Sequence, residues 1–168
     1  MHQALQQTLK KQISCSGVGL HSGVAVNMTL LPAAPDTGII FKRTDVPSAS
    51  AEVAAQWNQI QSGILSTTLG NASGTTVGTV EHLMAAFSGC GIDNVIVELN
   101  GPEIPAMDGS SAPFVMLIEY VGLLTQEVSR KYIKVLKPID VCDGDRGERL
   151  VNELLAFLCG DLRDGDRD

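Results

Sequence analysis

The sequence predicts an α+β domain of two layers, in which helices cover one face of a mainly antiparallel sheet. Three observations support this fold class. Segments rich in β-forming residues come in runs, two amphipathic helical segments lie between those runs, and 168 residues suffice for one hydrophobic core. The hydrophobic fraction of 44% is typical of a globular protein and not of a disordered chain.

The first part of the chain is predicted to be mainly extended. Glycine-rich residues 17–23 predict a tight connection, and 32–38 a loop. Residues 51–58 are predicted to form a short helix. The segments predicted to be extended are 3–15 as an edge strand, 24–31, 39–43, and 65–69 before a turn at Gly70-Asn71.

The clearest helix is predicted to begin at Thr79 as its N-cap. Gly89 and Gly91 are plausible stop signals. The apolar positions of this helix follow the i, i+3, i+4, i+7 spacing: Val80, Leu83, Met84 and Phe87.

A second helix is predicted after Ser110 or Ser111, with Pro113 in its first turn. Its apolar stripe consists of Phe114, Leu117, Ile118 and Val121. Residues 94–100 are predicted to form a strand with Val95, Val97 and Leu99 on one face, and residues 102–109 are predicted to form a loop. Closing strands are predicted over 131–136 and 139–141.

Composition excludes several classes of protein. Residues 1–139 have a net charge of −2 and residues 140–168 one of −5, so the chain lacks the basic surface of a nucleic-acid binder. No apolar run is long enough to span a bilayer. The amino terminus does not resemble a signal peptide, which predicts a cytoplasmic location. The four cysteines form no Cys-x-x-Cys pair and are expected to be reduced thiols.

Glu81 and His82 are the main candidates for chemistry. With Thr79 as the N-cap they occupy the second and third helical positions, where the positive helix end stabilises a carboxylate and disfavours protonation of histidine. Adjacent helical side chains diverge by about 100°, so one could bind a metal while the other addresses a water. Ordinary helix electrostatics is the alternative, because a catalytic zinc needs about three protein ligands.

Other polar residues leave more than one interpretation open. His21 lies in a glycine-rich turn, where it could face a cleft or only solvent. Asp93 and Asp108 are expected to form side-chain to backbone hydrogen bonds in turns. Glu103, between Pro102 and Ile104, is predicted to be structural because no partner is evident.

Four segments, in order, carry a resemblance to a known family: 17–23, Thr79-Val80-Glu81-His82-Leu83, 91–94, and 102–110. Together they resemble the UDP-3-O-acyl-N-acetylglucosamine deacetylases, zinc enzymes that commit a precursor to lipid A in Gram-negative bacteria. The resemblance implies two similar α+β domains with the active site between them, of which this chain would be the first.

The resemblance also implies roles for single residues. His82 would be one Zn²⁺ ligand, and Glu81 the general base acting on the zinc-bound water. Leu65, Ser66 and Thr67 resemble a segment that lines the substrate cleft, and His21 would lie near that cleft. The implied reaction hydrolyses the acetamide of UDP-3-O-(3-hydroxyacyl)-N-acetylglucosamine and releases acetate.

The sequence departs from this family in two ways. The remaining family ligands, spaced His-x-x-x-Asp, belong to a second domain, and this chain has no histidine after His82. The resemblance runs to about residue 146. We therefore predict a deacetylase domain over 1–146 and a divergent acidic tail over 147–168, for which a frame shift is our hypothesis. The alternative to a zinc enzyme is a non-catalytic half-domain that pairs with another copy or with a complete enzyme through exposed inter-domain surface.

Overall fold

A computed structural model describes residues 4–62, 65–131, 139–143 and 146–150. The chain forms two compact units, Met1–Arg130 and Lys131–Asp168. The regular elements of the first unit are, in chain order, β1 (Leu5–Leu9), β2 (Ile13–Val18), β3 (Ala25–Pro32), β4 (Ile39–Arg43), β5 (Glu52–Ala54), β6 (Ile60–Ser62), β7 (Thr68–Gly70), β8 (Thr76–Val77), α1 (Glu81–Cys90), β9 (Val95–Leu99), α2 (Ala112–Val121) and β10 (Leu123–Ser129).

The largest sheet has five strands in the order β2-β3-β9-β4-β5. Every neighbouring pair is antiparallel except β4 and β9, which run parallel with Phe41 opposite Val97. Two smaller antiparallel sheets consist of β1 with β10 and of β6, β7 and β8. The predicted mainly antiparallel sheet is therefore confirmed.

The core lies where one face of the large sheet meets the two helices. Alternate residues of β3 and β9 are buried, as the predicted spacing in β9 requires. Leu83 and Phe87 of α1 and Phe114 and Ile118 of α2 belong to the same buried cluster as these strand residues. Burial of this one apolar surface explains the two-layer α+β fold.

Some predicted elements differ from the structure. The predicted helix over 51–58 is wrong: Val53 is fully buried in β5, opposite Phe41, and only Trp57–Gln59 forms a short 3₁₀ turn. Sheet pairing and burial thus override the helical propensity of this segment. The predicted edge strand over 3–15 is two strands, β1 and β2, and strand β10 was not predicted.

In the second unit, β11 (Ile139–Asp143) pairs antiparallel with β12 (Arg146–Leu150). The predicted strand over 139–141 is part of β11, whereas 132–136 of the other closing strand lie outside the described residues. The predicted boundary at 146 falls at the start of β12 and stays a prediction. None of the helices in the described ranges combines the length and the hydropathy of a membrane-spanning segment.

Candidate functional site

The beginning of α1 differs by one residue from the prediction. Val80 is the N-cap, and Glu81 and His82 are the first and second helical residues, not the second and third. Thr79, the predicted cap, has a left-handed φ of 57°. Its hydroxyl donates to Glu103 and not to the helix. Glu81 still lies in the first turn, so the stabilising effect of the positive helix end on its carboxylate still applies.

Glu81 is held by the segment that precedes β7. The backbone N–H of Thr67 donates to Oε2 of Glu81 at 3.0 Å, and the N–H of Val80 donates to the carbonyl of Thr67 at 3.3 Å. Ser66 and Thr67 are half-buried, whereas Leu65 has a left-handed φ of 66° and is 89% exposed. The structure thus brings the predicted segment 65–67 to the predicted base.

His82 lies near the loop that leads into α2. Asp108 accepts hydrogen bonds from the hydroxyl and the N–H of Ser110, at 2.8 and 2.9 Å. These bonds lower the pKa of Asp108. The turn chemistry predicted for Asp108 is therefore confirmed.

The backbone next to His21 is fixed by Glu103. Its carboxylate accepts the N–H of His21 at 3.0 Å, the N–H of Ser22 at 2.8 Å and the hydroxyl of Thr79 at 2.7 Å. The side chain of His21 is exposed, so the structure leaves its two predicted interpretations open. The glycine-rich turn is thus joined through Glu103 to Thr79, the residue before the N-cap of α1.

Glu103 was correctly predicted to be structural, but for a wrong reason. It has several partners, and two of them are backbone N–H groups that residue types do not reveal. Glu103 is only 4% exposed. Burial raises its pKa, but the hydrogen bonds from His21, Ser22 and Thr79 outweigh burial and lower the pKa to about 2. An acid flanked by Pro102 and Ile104 in an apolar loop was the available signal, because a buried carboxylate needs partners.

An open groove of about 770 Å³ lies between the end of β2 and the loop before α2. Its apolar wall includes Val18, Leu20 and Met107, and Asp108 also lines it. Glu81 and His82 do not line the groove itself. The groove therefore presents an apolar wall and one carboxylate, that of Asp108.

The described residues do not complete a metal site. Within 4–62, 65–131 and the two strands of the second unit, no group of three or more His, Cys, Asp or Glu side chains could hold a metal ion. His82 could supply one ligand, with Glu81 as the neighbouring carboxylate. The residues described therefore fit a part of a catalytic zinc site, which needs about three protein ligands, and not the whole.

Comparison with known proteins gives one consistent result. The family model "LpxC: UDP-3-O-acyl N-acetylglycosamine deacetylase" matches residues 6–153. A UDP-3-O-acyl-N-acetylglucosamine deacetylase from Chromobacterium violaceum is 50% identical over 139 residues, which are 83% of this chain and 45% of that protein. The protein of the same name from Vibrio campbellii is 47% identical over 146 residues, 87% of this chain and 48% of the relative. The chain spans about half the length of the curated relatives it matches.

Proposed function

The chain belongs to the UDP-3-O-acyl N-acetylglycosamine deacetylase family, and on that premise we propose that it supplies the general base and one metal ligand for an amide hydrolysis. The observation that supports this proposal is the Glu81 carboxylate, fixed by the Thr67 N–H at the start of α1 and adjacent to His82. The proposed substrate is UDP-3-O-(3-hydroxyacyl)-N-acetylglucosamine, and the proposed products are acetate and the free glucosamine amine.

The proposed metal is Zn²⁺, with His82 as the ligand that this part of the chain contributes. A zinc ion at such a site supplies Lewis acidity toward the amide carbonyl and the attacking water. Because the described residues do not complete the site, the remaining ligands must come from residues outside the described ranges or from another polypeptide.

The proposed role of Glu81 is proton transfer. The Thr67 N–H orients Oε2, which leaves Oε1 as the oxygen that takes the proton of the attacking water. The carbon–nitrogen bond of the acetamide then breaks, and the proton passes to the departing amine. Neighbouring helical side chains diverge by about 100°, so Glu81 and His82 can act on one water from different directions.

The proposed substrate cleft includes Leu65, Ser66, Thr67 and His21. The N–H of Thr67 donates to Glu81, and the backbone of His21 is linked through Glu103 to Thr79, which supports a common location near the reacting bond. The reaction is proposed to be the committed step of lipid A synthesis and to take place in the cytoplasm. Cell fractionation with an antibody against the chain tests that location.

Zinc analysis and an acetate-release assay, on the purified chain mixed with the part of the Chromobacterium violaceum relative that it does not match, test the function. Stoichiometric zinc and turnover that Glu81→Ala abolishes, with an unchanged circular dichroism spectrum, would support the proposal. Retained turnover in Glu81→Ala would remove Glu81 from the role of base. His82→Ala is the matched variant, because it should lower zinc content as well as turnover.

A second candidate function is a non-catalytic half-domain that pairs with another copy or with a complete enzyme. The observation in its favour is the exposed apolar surface of α2, where Met116 is 69% and Tyr120 is 86% exposed. Sedimentation velocity of the wild type and of a Met116→Ser, Tyr120→Ser double variant tests it. A monomeric wild type would oppose self-association, and zinc-dependent turnover would oppose the non-catalytic function.

A further inference from the structure

We propose that Thr79 and Glu103 form a positioning pair, whose hydrogen bond fixes the turn before α1 and thereby the directions of Glu81 and His82. Neither residue is proposed to touch the substrate. The catalytic meaning of the pair rests on the function proposed above, whereas its geometric effect on Glu81 and His82 can be measured without turnover.

The backbone of Thr79 has an unfavourable conformation. Its φ of 57° is unfavourable for a β-branched residue, which rarely adopts a left-handed conformation. Such a conformation persists only where the surroundings fix it. Thr79 is 4% exposed, and its hydroxyl donates to Oε1 of Glu103 at 2.7 Å, which is a short, charge-assisted bond.

The Glu103 carboxylate, which accepts the Thr79 hydroxyl, is itself held by other hydrogen bonds. The N–H groups of His21 and Ser22 bind the same carboxylate, at 3.0 and 2.8 Å. The backbone around Glu103 is paired with Gly78: the Gly78 N–H donates to Pro102 at 2.8 Å, and the Ile104 N–H donates to Gly78 at 3.1 Å. Glu103 therefore offers Thr79 an oxygen at a fixed position.

The space around the Glu103 carboxylate is tightly filled next to Gly19. A Cβ atom on Gly19 would overlap the Ser22 hydroxyl and the Glu103 carboxylate. The turn closes on Glu103 only because residue 19 lacks a side chain. The sequence thus provides the room, the donors and the acceptor of one network that ends at Thr79.

Thr79 is close in the chain to both Glu81 and His82. Thr79 lies two residues before Glu81 and three before His82, and Val80 between them donates its N–H to the carbonyl of Thr67. The same Thr67 donates to Glu81. A change in the Thr79 backbone should therefore move the Thr67 N–H and the Glu81 carboxylate relative to each other.

A simpler role for Glu103 is to anchor the turn at residues 19–22 without any effect on α1. The two roles predict different changes. An anchor affects the amides of His21 and Ser22 alone, whereas a positioning pair also affects the Thr67 amide and the imidazole of His82.

The experiment is amide hydrogen exchange and imidazole NMR on the whole chain. Thr79→Val keeps the side-chain shape and removes the hydroxyl, Thr79→Ser keeps the hydroxyl, and Glu103→Gln keeps the shape and removes the charge. We expect Thr79→Val and Glu103→Gln to raise exchange at the Thr67 amide about tenfold or more and to shift the His82 signals, with Thr79→Ser close to wild type.

Asp93→Asn is the matched control, because Asp93 accepts the Gln7 N–H at 2.8 Å and pairs with Arg130, in contacts that include neither Thr79 nor Glu103. It should raise exchange at Gln7 and leave Thr67 and His82 unchanged. Faster exchange at His21 and Ser22 with unchanged Thr67 and His82 in Glu103→Gln would overturn the proposal. If Thr79→Val does not fold, Glu103→Gln and Thr79→Ser decide the question alone.

These outcomes are separable from those of the proposed function. A chain without acetate release can still show the coupled change at Thr67 and His82. Conversely, an active enzyme whose Thr67 and His82 signals ignore Glu103→Gln would retain its function and lose only the positioning pair.

Discussion

The carboxylate of Glu103 stays ionised inside the protein because the N–H groups of His21 and Ser22 and the hydroxyl of Thr79 donate to it. These bonds replace the water that burial removes, and they favour the charged form. Protonation of the carboxylate would weaken these bonds, because its oxygens would no longer carry the negative charge. The charge of this one residue is therefore linked to folding of the turn at 19–22.

Stability should accordingly depend on the ionisation of Glu103. Its pKa is lowered from 4.5 to about 2, so the stabilisation is fully present above pH 4.5 and is lost as the pH falls toward 2. Proton linkage gives a contribution of about 3 kcal/mol to the free energy of unfolding. Urea unfolding at pH 7 and pH 3 should show a larger loss in the wild type than in Glu103→Gln. Equal losses in both proteins would contradict the assignment.

Gly19→Ala should destabilise the protein by about 1–3 kcal/mol, because the added Cβ would overlap Ser22 and Glu103. Gly89→Ala is the matched control: it lies on an exposed part of α1, where an added Cβ meets nothing within 4 Å. That variant should gain about 0.5–1 kcal/mol from helix propensity. Thermal unfolding of the two variants measures the difference, and a neutral Gly19→Ala would be evidence against the tight closure of this turn.

The candidate site was only partly predictable at the level of residues. Glu81 and His82 were found because a carboxylate and an imidazole at a helix start follow from residue type and spacing. The link between Thr67 and Glu81 was not, since its donor is a backbone N–H. The left-handed φ of Thr79 was not predictable either, because it depends on Glu103, 24 residues further along the chain.

At the level of elements, Asn94 connects several strands through one buried amide. It donates to Oε1 of Gln6 in β1 at 2.8 Å and to Oε1 of Gln126 in β10 at 2.7 Å. Its own oxygen accepts the N–H of Gly38 before β4 at 2.8 Å. The sheet of β1 and β10 is thus joined to the start of β9 by hydrogen bonds that require an amide side chain.

Asn94→Asp should therefore cost about 3 kcal/mol or more at neutral pH, because the new carboxylate would face two carbonyl oxygens in a site that is 1% exposed. A protonated carboxyl can donate one of the lost bonds. The deficit relative to wild type should consequently shrink toward pH 4. Denaturant unfolding at both pH values checks this, and a deficit that does not change with pH would argue against donation by residue 94.

The elements that were predicted wrongly depend on distant partners. Residues 51–58 contain helix-forming alanine and glutamine, but Val53 is buried only when β5 pairs with β4. Strand β10 pairs with β1, more than 100 residues earlier in the chain, and has a buried Gln126 where a strand pattern would place an apolar residue. Strands β3, β4 and β9 were predictable because their own side chains show the burial pattern.

On the scale of the whole molecule, the α+β fold class was predictable because both helices have a clear apolar stripe and the strands alternate. The sheet order was not, since the parallel pairing of β4 with β9 requires a crossover that no local pattern specifies. The family followed from four short segments in order. The activity in the names of the relatives belongs to whole proteins, and this chain matches only 45% and 48% of their lengths.

We expect the rest of a relative to supply the remaining ligands of the proposed zinc site. A catalytic zinc needs about three protein ligands, and the proposed site takes one, His82, from the described residues, which hold no complete metal-binding group. The 168-residue chain alone should therefore bind zinc weakly and release no acetate. The Chromobacterium violaceum relative is 50% identical to this chain over 45% of its own length, and a mixture with the separately produced remainder of that relative should gain both zinc and turnover. Glu81→Ala in this chain should abolish that turnover without lowering zinc content, whereas His82→Ala should lower both. Turnover by the chain alone would refute the need for a second half. An inactive mixture of two folded halves that do associate would instead favour the non-catalytic half-domain.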